Sequence, residues 1–466
     1  MPRISVRQLL LSSAATLLVT TGGAVADELG ALKAQLEALQ HQVNTLEAQS
    51  VAPGAPEGAS WIRFRNGSDI GLDKANPDNA GFAKSNDVIP DDRGWSIAIT
   101  PVADLAAPVH EVSVSGYVKA DLIYDADQNL GDLFSFTALS NAAQTNENVR
   151  LHARQSRFRI QSRSDTAVGQ IRTLIETDFF GGGNTLRLRH AWGEWDMAPN
   201  WTFGAGQTWS NFMPLIDLPD TLDFNGPAGL AFTRQSQGRL TYKDGPLSVA
   251  VAVEDPSTTA THTGSIAAAG TPETDVSDQI PDFTGHVQFN APGGFKFALT
   301  GVVGQLHVDP DATATATITG HDDELLWGGI AAASVDVTDS LSLTASGGAG
   351  QGAGRYIVGA DTFVNLGGSA ANPSIAGREY WHASASARIA FTDAVASNLA
   401  WGYIDFDGAD TIAGQEDYLQ SVHANLMWQP VTKLKMGVEG MWAERKVKGA
   451  GTPDAFRAQF ATYFFF

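Results

Sequence analysis

Cysteine is absent from all 466 residues, so disulfides, thiol chemistry and cysteine-bound metals are excluded. Long apolar runs are missing too. No stretch approaches the roughly 20 residues that a spanning helix needs, which leaves strands as the only means of crossing a bilayer. Basic residues are scarce, 30 Lys and Arg against 51 Asp and Glu, for a formal net charge of −21. That balance excludes nucleic acid as a partner. Catalytic signatures are equally thin. The histidines are scattered without metal-ligand spacing, and His321-Asp322-Asp323 reads as a solvated loop. Gly347–Gly354 lacks both GxGxxG and GK[ST] spacing and reads as the end of a strand where small residues let backbones approach closely. The chain is expected to be no enzyme and to need no cofactor or metal.

What is present is strand-like, with signals at both ends. Arg3 and Arg7, the apolar run Leu9 to Val19, and Ala24-Val25-Ala26 follow the order of a secretory signal peptide over 1–26. Its removal would take the net charge to −23, because the leader carries two arginines and no acid. Leu29, Leu32, Leu36, Leu39, Val43 and Leu46 are spaced 3-4-3-4-3. That spacing predicts a short periplasmic coiled-coil helix over 27–49, marginal alone and stable only where another interface gathers the chains. A single helix packing on its own barrel fits the same spacing. Residues 50–110 read as a Pro/Gly/Ala linker followed by an unassigned periplasmic segment, either extended or inserted like a plug.

Residues 111–466 alternate. Val112, Val114, Val118, Ala120, Leu122 and Tyr124 share one face of a strand, while Glu111, Ser113, Ser115, Tyr117, Lys119 and Asp121 share the other. Similar rows recur to Phe456–Phe466, where Phe456, Phe460, Phe464 and Phe466 oppose Arg457 and Gln459. A terminal strand that is aromatic on one side and polar on the other suits a transmembrane antiparallel β-barrel, apolar outward and polar inward. At roughly 22 residues per strand and its connections, this region holds about 16 strands. The fold class is therefore all-β, a transmembrane barrel preceded by a short coiled coil, placed in a Gram-negative outer membrane.

Eight arginines fall between Arg150 and Arg189 against Asp165, Glu176 and Asp178. With apolar faces outward, Arg157, Arg159, Arg172, Arg187 and Arg189 point into the lumen on neighbouring strands, and Arg239 joins them as a candidate pore-lining residue. Guanidinium offers a planar fork to carboxylate or phosphate oxygens, and rings of basic side chains are how pores select anions. The other reading is that these arginines neutralise Glu176, Asp178 and Glu194. Thr208–Gly229 is long, aromatic and broken by proline. It either folds into the lumen, with Trp209, Phe212, Asp223 and Asn225 as candidate constriction residues, or packs on a neighbouring subunit.

Several stretches carry a resemblance: Ser115-Gly-Tyr-Val-Lys-Ala-Asp-Leu-Ile-Tyr-Asp125, Ala153-Arg-Gln-Ser-Arg-Phe158, Ile175-Glu-Thr-Asp-Phe-Phe-Gly181, Leu186-Arg-Leu-Arg-His-Ala-Trp-Gly-Glu-Trp195, Gly206-Gln-Thr-Trp-Ser210, Leu222-Asp-Phe-Asn-Gly-Pro-Ala-Gly229 and Gly354-Arg-Tyr-Ile357. In that order, from about Ser113 to Phe466, the chain resembles the DcaP-type porins of Gram-negative outer membranes. The resemblance implies a homotrimer of 16-stranded barrels, an N-terminal helical bundle, and passive uptake of small anions such as dicarboxylates. It also implies an inward fold of the loop after Trp209. An outer-membrane hydrolase, and a coiled-coil surface or structural protein anchored by its barrel, are the readings from other classes.

Overall fold

The computed structural model describes residues 59–68, 70, 89, 93–101, 109–140, 146–257, 261–262, 279–309, 320–359, 364–369, 371–407 and 415–466. The signal peptide and the heptads lie outside these. The chain divides into two compact units, and the barrel belongs to the larger, residues 63–98 with 109–466. Of the smaller unit, only the ends of the strands Ser60–Asn66 and Trp95–Pro101 are described.

Sixteen staves form the barrel. In chain order they are β1 His110–Asp125, β2 Asn148–His152 continued by Arg157–Thr166, β3 Gly169–Asp178, β4 Arg187–Ala198, β5 Trp201–Trp209, β6 Arg234–Asp244, β7 Leu247–Glu254 and β8 Asp282–Asn290. The second half holds β9 Phe295–Val308, β10 Asp322–Thr338, β11 Leu341–Gln351, β12 Glu379–Thr392, β13 Val395–Phe406, β14 Glu416–Val431, β15 Leu434–Val447 and β16 Asp454–Phe465. Each pairs antiparallel with the next. The second stave pairs with β1 through both of its pieces. The ring closes where β16 meets β1, from Arg457 opposite Asp125 to Phe465 opposite Tyr117. Asp322 and Asp323 begin β10, so they belong to the barrel wall and not to a loop.

One end of the barrel carries two-residue turns, such as Ala167-Val168 and Pro199-Asn200, and the other carries all the long connections. Short turns mark the periplasmic end of such barrels. Asn200 (φ 70°) takes the left-handed conformation that its tight turn demands. The Gly347–Gly354 run does end a strand at close quarters. A Cβ at Gly348 would meet Gly329 O at 2.4 Å, and one at Gly350 would meet Trp327 O at 2.6 Å.

Side chains sort by the two-residue period. On β1, Glu111, Ser113, Ser115, Tyr117, Lys119 and Asp121 are buried, whereas Val112, Val118, Leu122 and Tyr124 are exposed. On β16, Phe456, Phe460 and Phe464 face out, while Arg457, Gln459, Ala461, Tyr463 and Phe465 face in. Outward apolar rows of this kind continue around the ring, for instance Phe158 and Ile160, Trp201 and Phe203, Leu299 and Val303. No described helix is long and apolar enough to cross a membrane. A separate three-stranded sheet, of Thr261–His262, Val364–Ser369 and Asn372–Gly377, arises in the long connections.

Candidate functional site: the lumen and its inward loop

The 24-residue connection from Ser210 to Thr233 leaves β5 and turns inward. Its start is fixed by a buried carboxylate on β7. Glu254 accepts from Ser210 Oγ (2.7 Å), the Asn211 N–H (2.7 Å), Thr284 Oγ1 (3.0 Å) and Gln235 Nε2 (3.1 Å). The loop then reaches the strands β14, β15, β16 and β1, across the ring in strand order. There a second buried carboxylate, Glu439 of β15, accepts from the N–H groups of Leu222 (2.7 Å) and Asp223 (3.2 Å) and from Asn425 Nδ2 (2.9 Å). Lys435 Nζ pairs with Asp220 at 2.7 Å, and Lys119 Nζ donates to Leu222 O at 2.9 Å. The return path runs past β14, where the Ala228 N–H donates to Ser421 Oγ (2.9 Å), and the Gly229 N–H then donates to Val358 O (2.9 Å). A loop tied this way crosses the lumen.

Of the candidate constriction residues, Phe212, Asp223 and Asn225 lie on this segment and Trp209 ends β5 just before it. Trp209, Phe212 and Asp223 are buried, and Asn225 donates from Nδ2 to Phe134 O of the first long loop at 3.3 Å. Arg457 of β16 holds Asp125 (2.7 Å) and stands 3.7 Å from Asp223.

Above the loop, at the end of the barrel that carries the long connections, arginines meet aromatic rings. Arg187 pairs with Asp178 (2.6 Å), Arg189 with Glu176 (2.8 Å) and Asp178 (3.3 Å), and Arg157 with Glu176 (3.7 Å). Arg154 and Arg150 share Asp132, at 2.6 and 3.1 Å. Phe180 and Phe224, 5.5 Å apart, lie under these guanidinium groups. Arg154 and Arg187 stand over Phe180 at 5.0 and 5.1 Å, and Arg187 and Arg189 over Phe224 at 5.4 and 5.3 Å. Arg234 stacks on Trp209 at 4.5 Å. Among the described residues, five arginines thus meet three carboxylates here.

Burial would raise the carboxyl of Asp132, but the hydrogen bond from Arg154 and the charges of His152, Arg150 and Arg154 outweigh it and hold the group below its ordinary range.

Exposure separates the arginines. The side chain of Arg187 is 31 % exposed, Arg154 24 % and Arg150 18 %, whereas Arg157 and Arg189 are at 0 %. All six arginines named from the sequence take inward positions, yet in different surroundings. Arg172 is enclosed by Glu194 (2.9 Å) and Asp196 (2.8 Å) near the turn end. Arg159 donates to Ser115 Oγ (3.2 Å) and Ile89 O (2.7 Å). Arg239 donates to Trp209 O at 2.6 Å and so supports the root of the loop. The sequence counts Arg150 and Arg154 among the eight arginines without placing them in the lumen, because alternation blurs before Gln155, and it gives no sign of Arg234 or of the rings of Phe180 and Phe224. Arg154 sits where alternation fails, because the second stave breaks between His152 and Arg157 and the Ser156 N–H turns back to Ala153 O, whereas Arg150 holds an inward position on the short piece Asn148–His152.

Residues 112–462 match the family model described as the porin subfamily. Among solved structures, the outer-membrane channel DcaP of Acinetobacter baumannii is 22 % identical, with a TM-score of 0.66, covering 77 % of this chain and 97 % of that one. An anion-selective porin from Comamonas acidovorans is 12 % identical (TM-score 0.51, covering 77 % and 100 %). The trimer form of Vibrio cholerae OmpT is 9 % identical (TM-score 0.51, 77 % and 100 %). These likenesses concern the fold. A comparison with curated proteins gives no match.

Proposed function

The chain belongs to the porin subfamily and is a channel of the Gram-negative outer membrane, and we propose that it passes small anionic solutes such as dicarboxylates by passive diffusion. The observation that carries this reading is the cluster of Arg150, Arg154, Arg157, Arg187 and Arg189 at the end of the barrel that carries the long connections, where Arg150, Arg154 and Arg187 reach solvent and, among the described residues, meet Asp132 and Asp178. One net charge about 5 Å from a passing carboxylate is worth about 1 kcal/mol in water and about 3 kcal/mol at a partly desolvated wall. Either value raises the local anion concentration by a factor of several or more. Arg157 and Arg189 act from within the wall through their field, Arg239 holds the root of the loop, and Arg159 and Arg172 are tied to Ile89 and to Glu194 and Asp196. Phe212, Asp223 and Asn225 belong to the loop that sets the passage, and Trp209 stands at its root.

In this reading the outward apolar rows face outer-membrane lipid, and three copies assemble through their barrels and through the heptads of residues 27–49. A neighbour of the same fold has a trimer form, which supports that assembly. Reversal potentials across a salt gradient in planar bilayers test the proposal. Anion selectivity that shrinks at high salt is expected, because the charges are screened. A cation-selective wild type would overturn it.

A further inference from the structure

The chain between the strands Ser60–Asn66 and Trp95–Pro101 begins and ends at one place. The Gly67 N–H donates to Gly94 O at 3.1 Å. Gly94 sits at φ +79°, pressed so closely on β1 that a Cβ would meet Val114 O at 2.2 Å. Beyond this base, Ser68, Ile70, Ile89 and Arg93 are all buried.

Their neighbours are lumen residues. Ile70 packs with Trp192 of β4 and Leu174 of β3. Ile89 belongs to one apolar cluster with Tyr117 of β1, Met427 of β14, and Ala461, Tyr463 and Phe465 of β16. Leu222, near the far point of the inward loop, is a member of the same cluster. The Arg93 guanidinium stands 5.3 Å over the Phe465 ring. The carbonyl of Ile89 accepts from Arg159 Nη2 at 2.7 Å.

Isoleucine has no lipid to meet inside a barrel whose inward row on β1 includes Glu111, Ser113, Ser115, Lys119 and Asp121. Ile70 is buried there by apolar partners from two strands, and Ile89 by partners from three strands and from the loop. We infer that Ile70, against β3 and β4, and Ile89, which meets the inward loop at Leu222, build a second narrowing of the lumen, and that Arg159 is committed to holding Ile89 instead of greeting solute. The inference rests on the channel reading above. It adds a determinant of conductance and selectivity from the N-terminal part of the chain, far in sequence from the loop.

The test uses single-channel recording of the full-length protein. In one variant Ser68–Arg93 is replaced by Asn-Gly, a turn that suits two strands already hydrogen-bonded at Gly67 and Gly94. In the other, Ile70→Ala and Ile89→Ala are combined, which keeps the backbone and removes bulk. The replaced chain should conduct about twofold or more above wild type, with greater anion preference as Arg159 is released. The double alanine variant should move the same way by less. Arg159→Gln should then shift the reversal potential in the replaced chain and leave it near the starting value in the otherwise native one. Wild-type conductance and selectivity from either variant that inserts as a heat-modifiable barrel would overturn the inference. A wild type with no conductance would instead sink the channel reading.

Discussion

Guanidinium groups at positions 154 and 187 differ from those at 157, 172 and 189 in what they can reach. Arg154 and Arg187 keep a quarter to a third of their side chains in solvent, and each shares its carboxylate with another arginine, Asp132 with Arg150 and Asp178 with Arg189. Replacing both by Gln therefore removes two accessible charges without stranding a buried acid. Such a variant should fold normally while its anion-to-cation permeability ratio falls several-fold, by roughly tenfold if each charge contributes about 0.7 kcal/mol. Reversal potentials read this directly, and an unchanged ratio would make the cluster structural. Arg172→Gln should do the opposite. It leaves Glu194 and Asp196 facing each other in a nearly closed site, a loss of about 3 to 5 kcal/mol for removing one partner of a buried pair. The temperature at which the folded band is lost on a gel should drop, with selectivity unchanged in the surviving channels. Acid acts on Asp132. Its carboxyl is held below the ordinary range by Arg154 and Arg150, so its contribution is present above the unfolded value and lost as pH falls through the lower folded one. The first long loop should loosen only below about pH 4, visible as faster proteolysis there, and Asp132→Asn should show that behaviour at neutral pH.

At the scale of an element, the inward loop owes its path to two carboxylates on opposite stretches of wall. Glu439→Ala would leave the N–H groups of Leu222 and Asp223 without their acceptor, each costing about 1 to 3 kcal/mol if it stays buried, while the Asn425 amide would keep its bond to Asp220 O. The loop should move away from β15, giving larger and noisier single-channel currents. Steady currents of wild-type size would show that the remaining ties, Lys435–Asp220, Lys119–Leu222 and Ala228–Ser421 among them, suffice. This element was half legible in the sequence. Its length, aromatics and prolines distinguish Thr208–Gly229 from a turn, and Trp209, Phe212, Asp223 and Asn225 do sit on it. Its anchors could not be read, because Glu439 lies 217 positions from Leu222 and a polar inward residue looks the same whether it faces solvent or a loop. The arginines show the same limit. Alternation places Arg157, Arg159, Arg187 and Arg189 inward, but only strand register reveals that Glu176 lies opposite Arg159 and Asp178 opposite Arg187. The burial of Ile70 and Ile89 has no periodic signal at all, since neither belongs to a strand.

The whole barrel depends on a seam between strands more than 300 positions apart in sequence. There the staves β16 and β1 pair at nine positions, the last three being Tyr463 with Lys119, Phe464 with Val118 and Phe465 with Tyr117. The Phe466 N–H adds a bond to Gly116 O at 3.1 Å. The terminal aromatics are divided between two duties. Phe464 and Phe466 face outward, whereas Tyr463 and Phe465 turn in and pack edge-on against Tyr117, at 5.3 and 5.6 Å between centroids. Removing Tyr463–Phe466 would open the ladder over a third of the seam and empty the inner cluster that also holds Ile89 and Leu222. An open edge of unpaired backbone groups cannot be tolerated at membrane depth. The truncated chain should fail to insert and should lose the heat-modifiable band entirely. A milder pair of variants separates the two duties. Phe464→Ser should impair insertion while leaving the channel properties of the molecules that do insert, because it touches only the outer face. Phe465→Ser should insert and show altered conductance, because its ring lies in the cluster where the two inward segments meet. A truncated protein that still forms a heat-modifiable barrel would mean that closure rests on the upper part of the seam, from Arg457 to Thr462, without the terminal aromatics.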